Sequence, residues 1–133
     1  MTPVEWTPDF EVGSRAMDLQ HQHLVGIVNR YHVAMQHHAP RAELVRTFEE
    51  AADYARQHFH DEEALMAEHA YPRFAAHRLL HRQLMDRITE LLLKLRAGEA
   101  GARREVQVFL NQWLAGHIRD CDVDYKPFVE NAA

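Results

Sequence analysis

The sequence predicts an all-α protein, an up-down-up-down antiparallel four-helix bundle, on three observations. Apolar residues recur at three- and four-residue spacing through four long segments. Only five glycines and five prolines occur in 133 residues, and most of them fall where helices would stop or start. The connections between segments are short, which makes sequential helices antiparallel neighbours. A chain of this length is expected to form one domain, residues 1–133, with a real core.

The first seventeen residues read as an irregular lead-in. The first helix is expected from about Asp18, as N-cap, to His38, with Leu24, Val25, Val28 and Met35 on one buried face. Ala39-Pro40 ends it. The second begins near Pro40, a favoured first-turn residue, carries Leu44, Phe48, Ala51, Ala55, Phe59 and Met66, and breaks before Tyr71-Pro72. The third runs from about Pro72 to Arg96 with Leu80, Leu84, Ile88, Leu91 and Leu95 facing inward, and Ala97-Gly98 to Gly101 supplies the turn. The fourth holds Val106, Phe109, Leu110, Trp113, Leu114 and Ile118 and reaches roughly Asp122. The tail from Val123 has room for a short C-terminal helix.

Composition narrows the function. Apolar residues at 47 % and charged residues at 26 % are the balance of a globular protein. The net charge of −5 is spread without blocks, so nucleic acid is not an expected partner. No apolar run approaches the roughly 20 residues of a spanning helix, so membrane insertion is not expected. Met1 to Phe10 lacks the features of a secretory signal, which gives a cytoplasmic expectation by default. The single Cys121 allows no intramolecular disulfide and no cysteine-based zinc framework, and reads as a small buried or half-buried residue. Histidine is the outlier, with eleven in the chain.

The histidines explain themselves by position. His58 and Glu62 lie four apart on the buried stripe of the second helix, and His77 and His81 repeat the arrangement on the third. His117 stands one turn beyond Trp113 and Leu114, and His21 one turn before Leu24 and Val25. All four helices thus send polar groups into one core. An unpaired buried carboxylate costs several kcal/mol, and a metal ion removes that cost. Five histidines, Glu62 and an aspartate near His117 exceed one tetrahedral zinc site and suit two first-row metals bridged by carboxylates, iron foremost. Spacing does not select the aspartate. Asp122 sits five residues after His117, about 140° around an ideal helix, and Asp120 and Asp124 compete with it.

The motifs Asp18-Leu-Gln-His21, His58-Phe-His-Asp-Glu62-Glu63, His77-x-x-x-His81 and Trp113-Leu-x-x-His117-Ile-x-x-x-Asp122 resemble those of the hemerythrin family, the bacterial members above all. The resemblance extends from Trp6 and Gly13 to Tyr125 and fills all seven ligand positions. It implies that His77, His81 and His117 hold one iron, that His21 and His58 hold the other, and that Glu62 and Asp122 bridge two iron ions that share an oxo or hydroxo bridge. It implies that dioxygen binds reversibly at the iron with fewer histidines, in an apolar pocket formed by Leu24, Phe59, Trp113, Leu114 and Ile118. Leu114 is the expected gate.

Other classes fit less well. A ferritin-like di-iron oxidase needs Glu-x-x-His pairs, and none occurs. A metal-dependent phosphohydrolase would rest on the dipeptide His60-Asp61, which is short enough to arise by chance and puts His60 off the ligand stripe. An oxygen or redox sensor would use the same site but lacks a signalling module here. His23, His32, His37, His38, His60 and His69 read as surface or supporting groups without an assigned role. The expectation is a monomer that is not an enzyme. Its ligand is dioxygen, held for transport, storage or delivery, and an oxygen-consuming enzyme is the candidate recipient.

Overall fold

The computed structural model describes residues 3–120 and 122–129; the side chains of residues 114, 115, 119 and 120 lie outside the description. Four long helices follow one another: α1 (Arg15–Gln36), α2 (Arg41–Glu68), α3 (Phe74–Ala97) and α4 (Ala102–Asp120). A 3-10 turn, Asp122–Tyr125, and a short α5 (Lys126–Val129) close the chain. Helix α1 packs on α2 and α4, and α3 packs on the same two, so the helices stand at the corners of an antiparallel bundle. No helix among the described residues is long and apolar enough to cross a membrane.

The helix ends show what the sequence pattern missed. Ser14, not Asp18, caps α1, accepting from the Met17 amide at 3.4 Å. Asp18 lies in the first turn, where it accepts from the Val12 amide at 2.8 Å and ties the lead-in to the helix. The lead-in is therefore docked. It contains a 3-10 turn, Pro8–Phe10, buries Phe10 and Val12, and exchanges two 2.8 Å hydrogen bonds between the Val4 backbone and the Asn29 side chain. Pro40 takes the N-cap position of α2, one residue ahead of the first turn.

Helices α1, α2 and α3 all end in the same hydrogen-bonded motif with one left-handed residue. Gly98 suits that conformation at φ 71°, but His38 at 54° and Ala70 at 52° adopt it without being glycine. The bonds Ala39 N–H to Ala34 C=O and Tyr71 N–H to Met66 C=O, each 3.0 Å, satisfy carbonyls that would otherwise be orphaned and hold those turns closed.

One hydrophobic cluster runs through the bundle and includes Leu24, Val28, Tyr31, Leu44, Phe48, Phe59, Leu91, Leu95, Val106 and Leu110. Among the described side chains, the expected inward positions are buried or, at Met35, Leu84 and Phe109, half-buried against the core, with one exception; Leu114 lies outside the description. Leu80 is 38 % exposed, because the register of α3 is set by His77, His81 and Ile88, and Leu80 falls beside that stripe. A second cluster, Val12, Met17, Met66, Tyr71, Tyr125 and Val129, seats the C-terminal segment against the end of the bundle that carries the candidate ligand residues.

Candidate metal centre

The antiparallel order puts the polar residues at one end. His21 is near the start of α1, His58 and Glu62 near the end of α2, His77 and His81 at the start of α3 and His117 near the end of α4. All six are buried, as is Asp122, which begins the 3-10 turn after α4. Helix α4 runs to Asp120 and Asp122 opens a 3-10 turn, so the ideal helical angle does not apply to the five-residue spacing, and Asp122, not Asp124, joins the cluster. The side chain of Asp120 lies outside the description, as does Cys121.

The two carboxylates divide their oxygens. Glu62 Oε1 faces the Nε2 atoms of His77 at 3.3 Å and His81 at 3.0 Å, while its Oε2 faces those of His21 at 3.3 Å and His58 at 3.5 Å. Asp122 Oδ1 faces His77 at 2.8 Å and His117 at 3.0 Å, and its Oδ2 faces His21 at 3.1 Å. Two overlapping pockets result, one of five residues (Glu62, His77, His81, His117, Asp122) and one of four (His21, His58, Glu62, Asp122). Within each, the ligand atoms lie within 4.8 Å of one another.

These atoms fit metal ions. The Nε2 atoms of His21, His77, His81 and His117, Glu62 Oε1 and both Asp122 oxygens are buried without a sound hydrogen bond in the protein. Buried polar groups are paired in the great majority of cases, so an orphaned set converging on two points marks a ligand site. Nitrogen and carboxylate donors with no thiolate suit first-row metals.

The outer faces of the rings are tied down. His58 Nδ1–H donates to the Gln20 amide oxygen at 2.7 Å, and Gln20 in turn donates to Asp61 at 3.0 Å, which also accepts from Gln57 at 2.8 Å. His81 Nδ1–H donates to the Glu63 carboxylate at 3.0 Å. With the proton fixed on Nδ1, Nε2 offers its lone pair inward, which is how ligand histidines are oriented. Tyr125 O–H donates to Glu62 Oε2 at 2.8 Å. The motifs assign no role to Gln20, Asp61, Glu63 or Tyr125, since the first three lie beside the apolar stripes and Tyr125 follows the end of α4. The signal present was a polar neighbour flanking a ligand: Gln20 beside His21, Glu63 beside Glu62, Tyr125 three residues after Asp122.

Charge follows geometry. Burial works against protonation of His21 and His77, but the Asp122 and Glu62 carboxylates outweigh it and push both up to about 9. Burial lowers His58 to about 4, with only partial relief from Glu62. Burial works against ionisation of Glu62 and Asp122, yet the surrounding histidines hold both well below the usual carboxylate range. Burial, then the two carboxylates, pushes the Tyr125 phenol well above its usual range, so it stays a donor.

Phe59, Trp113, Leu24 and Ile118 are all buried in the main cluster. Phe59 stacks on His81 with centroids 4.0 Å apart and meets Trp113 edge-on at 6.1 Å. The Leu114 side chain lies outside the description. Of the remaining histidines, His23, His37, His38 and His60 are exposed and His69 is half-buried, so the His60-Asp61 dipeptide is no part of the centre. His32 is a supporting group, not a surface one. It is 2 % exposed, and the Gln107 amide donates to its Nδ1 at 3.1 Å, because α1 and α4 pack together there.

Residues 12–129 match the Hemerythrin HHE cation binding domain. The chain belongs to the hemerythrin family. It is 36 % identical over 125 residues to a bacteriohemerythrin of Stenotrophomonas maltophilia, covering 94 % of this chain and 80 % of that one. A bacteriohemerythrin of Methylococcus capsulatus is 31 % identical over 128 residues, covering 96 % and 97 %. Among solved structures, a wild-type hemerythrin superposes with a TM-score of 0.87 at 30 % identity, covering 97 % of this chain and 99 % of that one. A leucine-to-alanine mutant of hemerythrin gives 0.88 at 30 % identity, covering 98 % and 99 %. As a hemerythrin-family protein the chain is a non-haem iron-binding domain, and the His, Glu and Asp cluster is where its fold can hold the metal.

Proposed function

We propose that this protein binds dioxygen reversibly at a di-iron centre, for oxygen transport, storage or delivery, and that it is not an enzyme. The observation that carries the reading is the division of Glu62 and Asp122 between a five-residue and a four-residue pocket. In this reading His77, His81 and His117 hold one iron, His21 and His58 hold the other, and the two carboxylates bridge them. Two ferrous ions sharing an oxo or hydroxo bridge would supply the electrons that dioxygen borrows on binding and returns on release.

The protein's own part is to leave one position free and keep it dry. The four-residue pocket has one protein ligand fewer, so a small ligand has room there. Phe59 packs on His58, His81 and His117 and meets Trp113 edge-on, and Leu24 and Ile118 are buried in the same cluster, an apolar surface that would keep water from the centre. Two carboxylates also give less anionic stabilisation to oxidised iron than the four of the ferritin-like carboxylate proteins, which favours return over onward oxidation. The names of the bacteriohemerythrin relatives support the same reading. We place the protein in the cytoplasm as a monomer, with an oxygen-consuming enzyme as its recipient.

The test is the visible spectrum of the anaerobically reduced, iron-loaded protein before air, after air and again under argon. A colourless form that gains charge-transfer bands in air and loses them under argon is the expected result. Bands that never appear, or appear once and stay, would remove the proposal.

A further inference from the structure

The four-residue pocket is the looser of the two. Its nitrogen-to-oxygen approaches are 3.1, 3.3 and 3.5 Å, against 2.8, 3.0, 3.0 and 3.3 Å around the five-residue pocket. The supports differ in the same direction. His81 leans on an anionic partner, the Glu63 carboxylate, whereas His58 leans on the neutral Gln20 amide. Yet the looser side has a support that the tighter side lacks among the described residues: Tyr125 O–H donates to Glu62 Oε2 at 2.8 Å, while Glu62 Oε1 and both Asp122 oxygens have no such donor.

We infer that Tyr125 is the positioning residue of the four-residue pocket: its phenol holds Glu62 Oε2 aimed between His21 and His58, and so decides whether a second metal is retained. The inference rests on the two-metal reading above and adds a residue to it. Glu62 reaches the centre on a flexible side chain from α2, and Oε1 has no hydrogen bond to steady it. The hydroxyl of Tyr125 fixes the other oxygen, and the plane of the carboxylate with it. Tyr125 is itself immobilised. It is fully buried, meets the Tyr71 ring edge-on at 6.1 Å, and packs with Val12, Met17, Met66 and Val129. It also shares a 3-10 turn with Asp122, so one four-residue turn grips both bridging carboxylates, Asp122 by its backbone and Glu62 by a hydrogen bond. Loss of an outer partner of this kind costs roughly 10–100-fold in metal affinity. Here that cost falls on the pocket that uses Oε2, because the five-residue pocket uses Oε1.

Tyr125→Phe isolates the hydroxyl, since the ring keeps its contacts with Tyr71 and, at 6.0 Å, with His77. The measurement is a titration of metal-free protein with cobalt(II), read by visible absorption against a competing chelator. Wild type should bind two cobalt ions in two steps. In Tyr125→Phe the second step should weaken by roughly 10–100-fold while the first stays within about threefold. An unchanged second step, or both steps weakened alike, would overturn the inference while leaving the two-metal reading intact. A wild type that takes up only one cobalt would remove that reading and the inference with it. Should the variant not fold, proton NMR of the wild type with zinc decides. The Tyr125 hydroxyl proton should exchange slowly and move chiefly on the second equivalent. Fast exchange, or a response to the first equivalent alone, would count against the role.

Discussion

Removing the metal should make the stability of this protein steeply dependent on pH, and the structure says in which direction. In the metal-free fold His21 and His77 face Glu62 and Asp122 at 2.8–3.3 Å and are raised from 6.5 to about 9. The unfolded chain releases those protons near 6.5, so the folded state binds more protons between the two values. The stabilisation is therefore fully present below pH 6.5 and is lost as pH rises through about 9. At about 1.4 kcal/mol for each pH unit the difference amounts to about 3 kcal/mol per histidine. The side chains are 0 % and 4 % exposed, so solvent screens them little. Both lean on the same two carboxylates, so the pair together contributes on the order of 3–6 kcal/mol, a large part of the 5–15 kcal/mol that usually holds a domain together. His58 acts in the opposite sense. Held at about 4, it contributes stability above 6.5 that is lost as pH falls towards 4. Glu62 and Asp122, held down in the fold, likewise contribute above the ordinary carboxylate range and lose that contribution as pH falls through their folded values. The metal-free protein should thus be most stable near neutrality. Bound metal keeps the ligand imidazoles deprotonated, so the loaded protein should not show the alkaline loss. Urea unfolding followed by circular dichroism between pH 6.5 and 9.5, with and without cobalt, measures the difference. Metal-free and loaded proteins whose unfolding free energies change in parallel over that range would refute the reasoning.

Two further substitutions separate the centre from the scaffold. Glu62→Gln keeps the shape of the bridge but turns an N–H group towards one pocket, so metal content by elemental analysis should fall from two ions per chain to one or none; a variant that keeps both undoes the bridging assignment. Phe48→Ala empties a fully buried site about 15 Å along α2 from His58. It should cost about 3–5 kcal/mol in denaturant unfolding with metal stoichiometry unchanged, and a loss of metal would show that the two ends of the bundle are not independent.

Much of this was legible in the residues because helical periodicity and ligand chemistry act through the same spacing. His58 with Glu62, and His77 with His81, could be placed on buried faces because a four-residue step is both a ligand pair and a core stripe. What the pattern missed depends on contacts between elements distant in sequence. Gln20 supports His58 from 38 residues away and Tyr125 supports Glu62 from 63, and neither distance leaves a periodic trace. Asp122 could not be selected by spacing because it lies past the end of α4, where the helical angle no longer applies. His38 and Ala70 hide left-handed turns because the usual marker, glycine, is absent. His32 could not be told apart as surface or supporting because the sequence does not show that Gln107 comes to meet it.

The placement of every candidate ligand at one end of the bundle separates what holds the fold from what would hold the metal. Tyr31, Leu44, Phe48, Leu91, Leu95 and Val106 form an unbroken apolar core from all four helices and include no ligand residue. That half gives the helices a reason to assemble before any ion arrives, and assembly brings the ligand ends together as a ready-made vessel. The scaffold and the candidate site thus draw on different residues, and the apolar half does not need a metal to hold it together.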